Sequence, residues 1–254
     1  MRFPASRPRP LVLLLLALAM SGPGMASDFS VEPMRLQLGA TARSGVIAVR
    51  NEGQEKLSFQ LQAREWTQNA EGQDQYTETS DLVFFPRLMT VEPGEEGVIR
   101  IGAKQAVVPV EKTYRIFIEE LPGAARPAPQ GKAVQVNVLI RFGAPIFVKP
   151  VKPEDGLQIE DLRMAGGTLS LFARNTGNQH QLVEGVKLQG VDQEGREVYA
   201  LTLADRYLLA GTRKRYSTTV PAEQCAKLAA LSIEFKTDKA TANQKLEIGP
   251  TMCR

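Results

Sequence analysis

The sequence predicts an all-β protein built as two tandem sandwiches. Three observations carry this: period-2 alternation of apolar residues recurs from Val46 to Phe235, no long stretch keeps a 3.6-residue apolar period, and two prolines and a glycine break the pattern near residue 150. Beyond a leader, about 228 residues exceed the usual single domain, so two domains of roughly a hundred residues each are the natural division.

Residues 1–26 read as a secretory signal peptide. Arg2, Arg7 and Arg9 precede the apolar run Leu11 to Met20, and small residues close the segment at Ala26 before the first acid, Asp28. Ten apolar residues are too few for a membrane span, which takes ~20. The expectation is an exported, soluble protein cut after Ala26. The leader holds three bases and no acid, so the rest of the chain balances 28 Lys and Arg against 28 Asp and Glu. A neutral chain without a dense basic run excludes nucleic acid as a partner.

The first domain is expected over 27–149. Val46, Ala48 and Arg50 alternate with Ile47 and Val49, and Leu57, Phe59, Leu61 and Ala63 lead to Trp66. Val98 to Ile101 follows the turn Glu92-Pro-Gly94, then come Tyr114 to Ile118 and the row Val134, Val136, Val138, Ile140 running to Phe142. Pro122 to Gly131, rich in Pro and Gly, reads as a mobile surface loop. Val148-Lys-Pro-Val-Lys-Pro-Glu-Asp-Gly156 denies the backbone ladder donors and marks the boundary.

The second domain is expected over 150–254, with alternation at Leu169 to Ala173, Val198 to Leu203 and Leu231 to Phe235. Pro221 to Leu228 suits one or two helical turns. Cys225 and Cys253 are the only cysteines, and in an exported chain an even count pairs them most simply.

Catalytic chemistry lacks its residues. His180 is the only histidine, in the polar turn Asn175 to Gln181, where it is expected to be exposed and without the partners of a metal site or a nucleophile triad. Glu119 and Glu120 point to opposite faces of a strand, and no Gly-rich phosphate loop occurs. The chain reads as a binding protein with no enzymatic activity, no metal and no cofactor. For a β-sandwich the natural binding surface is a sheet edge.

Five segments in order carry a resemblance: Val31-Glu-Pro-Met-Arg35, the strand ending in Trp66, Phe85-Pro-Arg-Leu-Met-Thr-Val-Glu-Pro-Gly94 leading to Val98 to Ile101, Tyr114 to Pro122, and Val134 to Pro150. Together they resemble the periplasmic pilus-assembly chaperones of the chaperone-usher pathway. The ending Phe142-Gly-Ala-Pro-Ile-Phe-Val-Lys-Pro150 is similar to the archaic or alternate branch.

The resemblance implies two immunoglobulin-like domains in an L-shaped arrangement, periplasmic localisation, and a partner set of pilus subunits and an outer-membrane usher. It allows a self-capping dimer when the protein is free. The implied mechanism is donor-strand complementation, in which Val134, Val136, Val138 and Ile140 fill the open groove of a subunit. Arg35 falls at the family's first subunit-carboxylate anchor. The family's second anchor, a lysine, falls on Pro145, which leaves Arg141 and Lys149 as candidates for that role. The alternative is an exported structural or adhesive subunit of a surface polymer. Ser27 to Ser30 runs almost directly into the first strand, which leaves no donor extension for that reading.

Overall fold

The computed structural model describes residues 28–69, 71–123 and 138–253. The expected leader, Val134, Val136 and most of the Pro122 to Gly131 loop lie outside them. In chain order the strands are β1 Phe29–Glu32, β2 Leu36–Leu38, β3 Ser44–Asn51, β4 Leu57–Gln68, β5 Asp74–Glu78, β6 Leu82–Phe85, β7 Leu88–Val91, β8 Glu96–Ala103, β9 Lys112–Glu120 and β10 Arg141–Val148. They continue as β11 Leu157–Ala165, β12 Thr168–Asn175, β13 Gln181–Val191, β14 Glu197–Leu203, β15 Tyr207–Leu208, β16 Arg213–Thr219, β17 Ala230–Thr237 and β18 Thr241–Glu247. One helical turn, Ala222–Cys225, interrupts the β structure.

The strands form two pairs of sheets. The sheet β1-β3-β8-β6 faces a six-stranded sheet ordered β2-β10-β9-β4-β5, with β7 also on β4. Ile47, Val49, Ile99 and Ile101 from one meet Phe59, Leu61, Ile116 and Ile118 from the other in a closed core. Alternation is what makes this possible, because every second side chain of a strand points to the same face. Further along, β11-β12-β16 and β14-β13-β17-β18 enclose Leu171, Tyr216, Ile233 and Phe235.

A buried asparagine ends a strand in each half. Asn51 donates to Glu55 O and Val91 O and accepts from Gly53 N, and Asn175 donates to Gln179 O and Leu208 O and accepts from Gly177 N. Each satisfies turn groups that would otherwise be buried unpaired.

A third apolar cluster joins the halves. Trp66 and Phe147 meet Tyr207 and Leu209 there, with Leu182 against them. The Gln68 amide donates to Tyr207 O at 3.0 Å and accepts from Leu209 N at 3.1 Å, in the manner of a missing strand partner. At the β4–β5 turn Gly72 has φ +77°, and a Cβ there would strike the Lys214 stem from the other half.

Cys225 and Cys253 form a disulfide with Cα atoms 5.7 Å apart, tying the helical turn to the end of the chain. On the chain-entropy account a loop of this span is worth about 3 kcal/mol. Reduction should lower the unfolding free energy by that amount, read from urea titrations with and without reductant.

Candidate functional site

β10 is covered unequally on its two sides. From Arg141 to Val148 it pairs antiparallel with β9, whereas β2 reaches only Ile146 to Val148, in parallel register. Glu120 N donates to Ile140 O, and Lys149 N donates to Leu38 O. Alternation of ladder bonds therefore turns the even-numbered residues of β10 toward β9 and the odd-numbered ones away from it. The N–H and C=O groups of Arg141 and Gly143 face an open edge, and the C=O of Pro145 starts the ladder with β2 at Leu36. Pro145 is tolerated because the donor it lacks would have pointed away from the β9 ladder.

The side chains of β10 divide likewise. Phe142, Ala144, Ile146 and Val148 pack into the first core. Extended backward, the same row comprises Ile140 and Val138, and Val138 is 61% exposed. On the other face Pro145 lies opposite Arg115, which lies opposite Arg64 on β4. The Arg115 guanidinium sits 4.2 Å from the Trp66 ring centroid and 3.6 Å from Asp74, and it donates to Gly143 O at 3.3 Å. Tyr76 packs edge-on to Phe117, and burial, aided by Asp74 and opposed by Arg115, pushes its hydroxyl above the ordinary phenol value.

Where β10 meets the second half, a cleft of about 660 Å³ opens between the two. Val31, Met34 and Arg35 line one wall, and Leu182, Arg206 and Tyr207 line the other. Among the described residues no ion pair or hydrogen bond engages either guanidinium, though Arg206 lies 5.6 Å from the Tyr207 ring centroid. The lining also holds the exposed carboxylate of Glu32, so two guanidinium groups against one carboxylate leave the cleft net positive, which suits an anion, above all a planar carboxylate.

The root of β9 is fastened by side chains. Lys112 Nζ and Tyr114 Oη donate to Asp81 Oδ2 at 2.9 and 2.7 Å. These bonds, the lysine's first, hold the Asp81 carboxyl below the usual carboxylate range, while burial pushes the Tyr114 phenol far above its own.

Residues 28–154 match the family model described as pili and flagellar-assembly chaperone, PapD N-terminal domain. The chain belongs to this family of pilus-assembly chaperones of the chaperone-usher pathway. Solved structures share the fold of both halves. The chaperone–tip adhesion subunit pre-assembly complex of archaic Csu pili from Acinetobacter baumannii is 16% identical, with 86% of this chain and 98% of that chain covered and a TM-score of 0.56. For the CupB2 chaperone of Pseudomonas aeruginosa the values are 16%, 87%, 100% and 0.52. For the Salmonella enterica SafA pilin in complex with the SafB chaperone they are 14%, 88%, 97% and 0.53. No curated protein matches the sequence.

The chaperone is therefore an all-β, two-domain protein of a non-enzymatic family whose members work in the periplasm. Arg35 lies in the bend between β1 and β2, not within the opening strand, and it is exposed. Arg141 lies over the Phe117 ring at 4.1 Å and 3.7 Å from Glu119. Lys149 is exposed just past β10. Arg141 and Lys149 each stand four residues from Pro145, roughly 13 Å along the strand. Neither is brought beside Arg35; Arg206, which sequence reasoning missed, is.

The expectation for His180 was wrong. The ring is buried between Phe147, stacked at 3.7 Å, and Glu111, whose Oε1 lies 2.8 Å from Nδ1. A polar turn is exposed only while nothing covers it, and here the first half does.

A carboxyl held below its unfolded value adds stability above that value and loses it as pH falls through the folded one. Asp81→Asn should therefore flatten the acid limb of stability below about pH 4, seen as a smaller loss of urea midpoint than the parent shows there.

Proposed function

We propose that the chaperone captures an incomplete β-sandwich subunit by lending it the open edge of β10, and that it holds the subunit's terminal carboxylate in the cleft between Arg35 and Arg206. One observation carries this: the unpaired edge of β10 at Arg141 and Gly143 stops where β2 begins, directly after Arg35, which lines the same cleft as Arg206. A strand laid along that edge in parallel with β10 delivers its C-terminus to the cations. Main-chain bonds at Arg141 and Gly143 supply affinity that asks little of the partner's sequence.

The apolar row supplies the rest. From Phe142 onward it fills the chaperone's own core, and at Ile140 and Val138 it runs beyond that core. Val134 and Val136 extend the same parity. Their burial in a subunit groove returns ~25 cal/mol per Å² of apolar surface. Capture coupled in this way to the subunit's own folding needs no nucleotide. Arg141 is the donor strand's outer charge, Lys149 lies past the strand's inner end, and the second carboxylate contact is assigned to Arg206. The captured subunit then passes to an outer-membrane usher.

The solved complexes of similar chaperones with a tip adhesion subunit and with a pilin support the same kind of partner. The polymer-subunit alternative has no comparable observation behind it.

Losing a charge-assisted bond to a carboxylate costs about 1.5–3 kcal/mol, a factor of roughly 10–100 in affinity. Arg35→Ala and Arg206→Ala should each weaken capture of a pilus subunit by that factor in a surface-resonance titration. Because both residues are exposed, unfolding midpoints should stay within about 0.5 kcal/mol of the parent. Arg141→Ala should change capture little. Unaltered binding in Arg35→Ala would remove the carboxylate anchor from the account.

Ile140→Asp with Val138→Asp should abolish stable one-to-one complexes in native mass spectrometry while leaving the free chaperone folded. Complexes of parental stability would show that the row takes no part.

A further inference from the structure

Glu111 stands at the joint between the halves, just ahead of β9, with a fully buried side chain. One of its oxygens does all the bonding. Oε1 accepts the main-chain N–H of His180 at 2.9 Å and lies 2.8 Å from His180 Nδ1, while buried Oε2 has no hydrogen-bond partner. His180 is the chain's only histidine, 5% exposed, its ring flat against Phe147 of β10.

From this pair a continuous path leads to the far wall of the cleft. β13 begins at Gln181, directly after His180; Leu182 pairs with Tyr207, and Val183 N donates to Arg206 O. Leu182, Arg206 and Tyr207 are the wall that faces Arg35. Where Glu111 holds His180 therefore decides where Arg206 stands.

The chemistry of the pair makes this hold depend on protons. Nδ1–H donates to the carboxylate whether the imidazole is neutral or charged, so the bond survives a change of charge on the ring. Protonating Glu111 is different. It leaves an imidazolium in a buried site without a counter-charge, an arrangement that costs several kcal/mol when a partner is removed.

The other ionisable groups on the surrounding elements are already committed or lie in the neighbouring cleft. Lys112 on β9 is held by Asp81, Asp155 of the connecting segment by Gln179, and Arg213 on β16 by Glu160 and Asp161. Glu65 on β4 lines the cleft that Glu111 and Arg213 share, and Tyr207 on β15 presents its ring at 5.8 Å.

We propose that Glu111 and His180 form a proton-sensitive joint that holds Arg206 and Tyr207 opposite Arg35, and that acid loosens this joint before either sandwich unfolds. Its effect on subunit capture rests on the proposed function; the joint itself does not.

The test is a distance measured without any subunit. Nitroxides at Val46→Cys and Lys187→Cys, both exposed positions and one in each half, report the separation by electron double resonance. No free cysteine competes for the label among the described residues. On acidification from neutral pH, the parent should pass from a narrow to a broad distribution while its far-ultraviolet dichroism stays constant.

In Glu111→Gln, where the ring has no counter-charge at any pH, the broadening should come at a higher pH than in the parent. The double variant Glu111→Gln, His180→Phe keeps the stack on Phe147 and removes both titrating groups. It should show no transition. A parent distribution that is flat with pH, a Glu111→Gln transition at the parental pH, or a transition surviving in the double variant would each overturn the joint. Binding of a carboxylate-terminated subunit peptide to the parent and to Arg35→Ala, measured separately at neutral pH, tells failure of the joint from failure of the cleft.

Discussion

The shortness of one strand governs what the rest of this molecule can do. β2 covers β10 over three residues and stops, so β10 is fully paired on one side and open on the other from Arg141 to Gly143. An open edge is ordinarily a liability, a row of unpaired N–H and C=O groups that invites the wrong partner. Here it is made selective. Pro145 removes the donor at its inner end, Gly143 removes a side chain in the middle, and Arg115 reaches across to Gly143 O.

The second constraint is that this edge has to end somewhere defined. Phe147 lies under His180 and Tyr207, and Trp66 packs edge-on to Tyr207 at 5.2 Å. The inner end of β10 is thus buried on both faces by the union of the halves, while its outer end stays accessible. An apolar cluster joins the halves, and polar bonds of Gln68 with Tyr207 and Leu209 and of Glu111 with His180 cross the same joint. Placing Arg35 on one wall and Arg206 on the other makes the cleft a product of the joint, one that neither sandwich has alone.

Much of this was legible in the residues. The alternation at Val46, Leu57, Val98, Tyr114, Leu169, Val198 and Leu231 each marks a strand, because a half-buried strand needs that pattern to place one row in a core. Arg115 could have been found by the same rule: Tyr114, Ile116 and Ile118 face inward, so Arg115 and Phe117 face out, onto Trp66 and Tyr76. The cysteine pair followed from the count alone. Other features had no local signal. Arg206 sits in the polar stretch Asp205-Arg206-Tyr207, and only the packing of β15 against Trp66 gives it a partner across the cleft. His180 looked exposed because burial by another domain leaves no period in the sequence that is buried. The row starting at Val134 predicted a strand through Phe142, yet β10 begins at Arg141, and Val138 and Leu139 ahead of it are exposed.

The central claim, that the open edge of β10 is the surface that binds, is tested most directly by amide hydrogen exchange at Arg141 and Gly143 in the free chaperone and in a one-to-one complex with a pilus subunit. The account predicts fast exchange at both when free and strong protection when bound, with the even-numbered amides of β10 protected in both states by β9. A stoichiometric complex in which Arg141 and Gly143 exchange as fast as before would contradict it, and would move the binding surface elsewhere on the molecule.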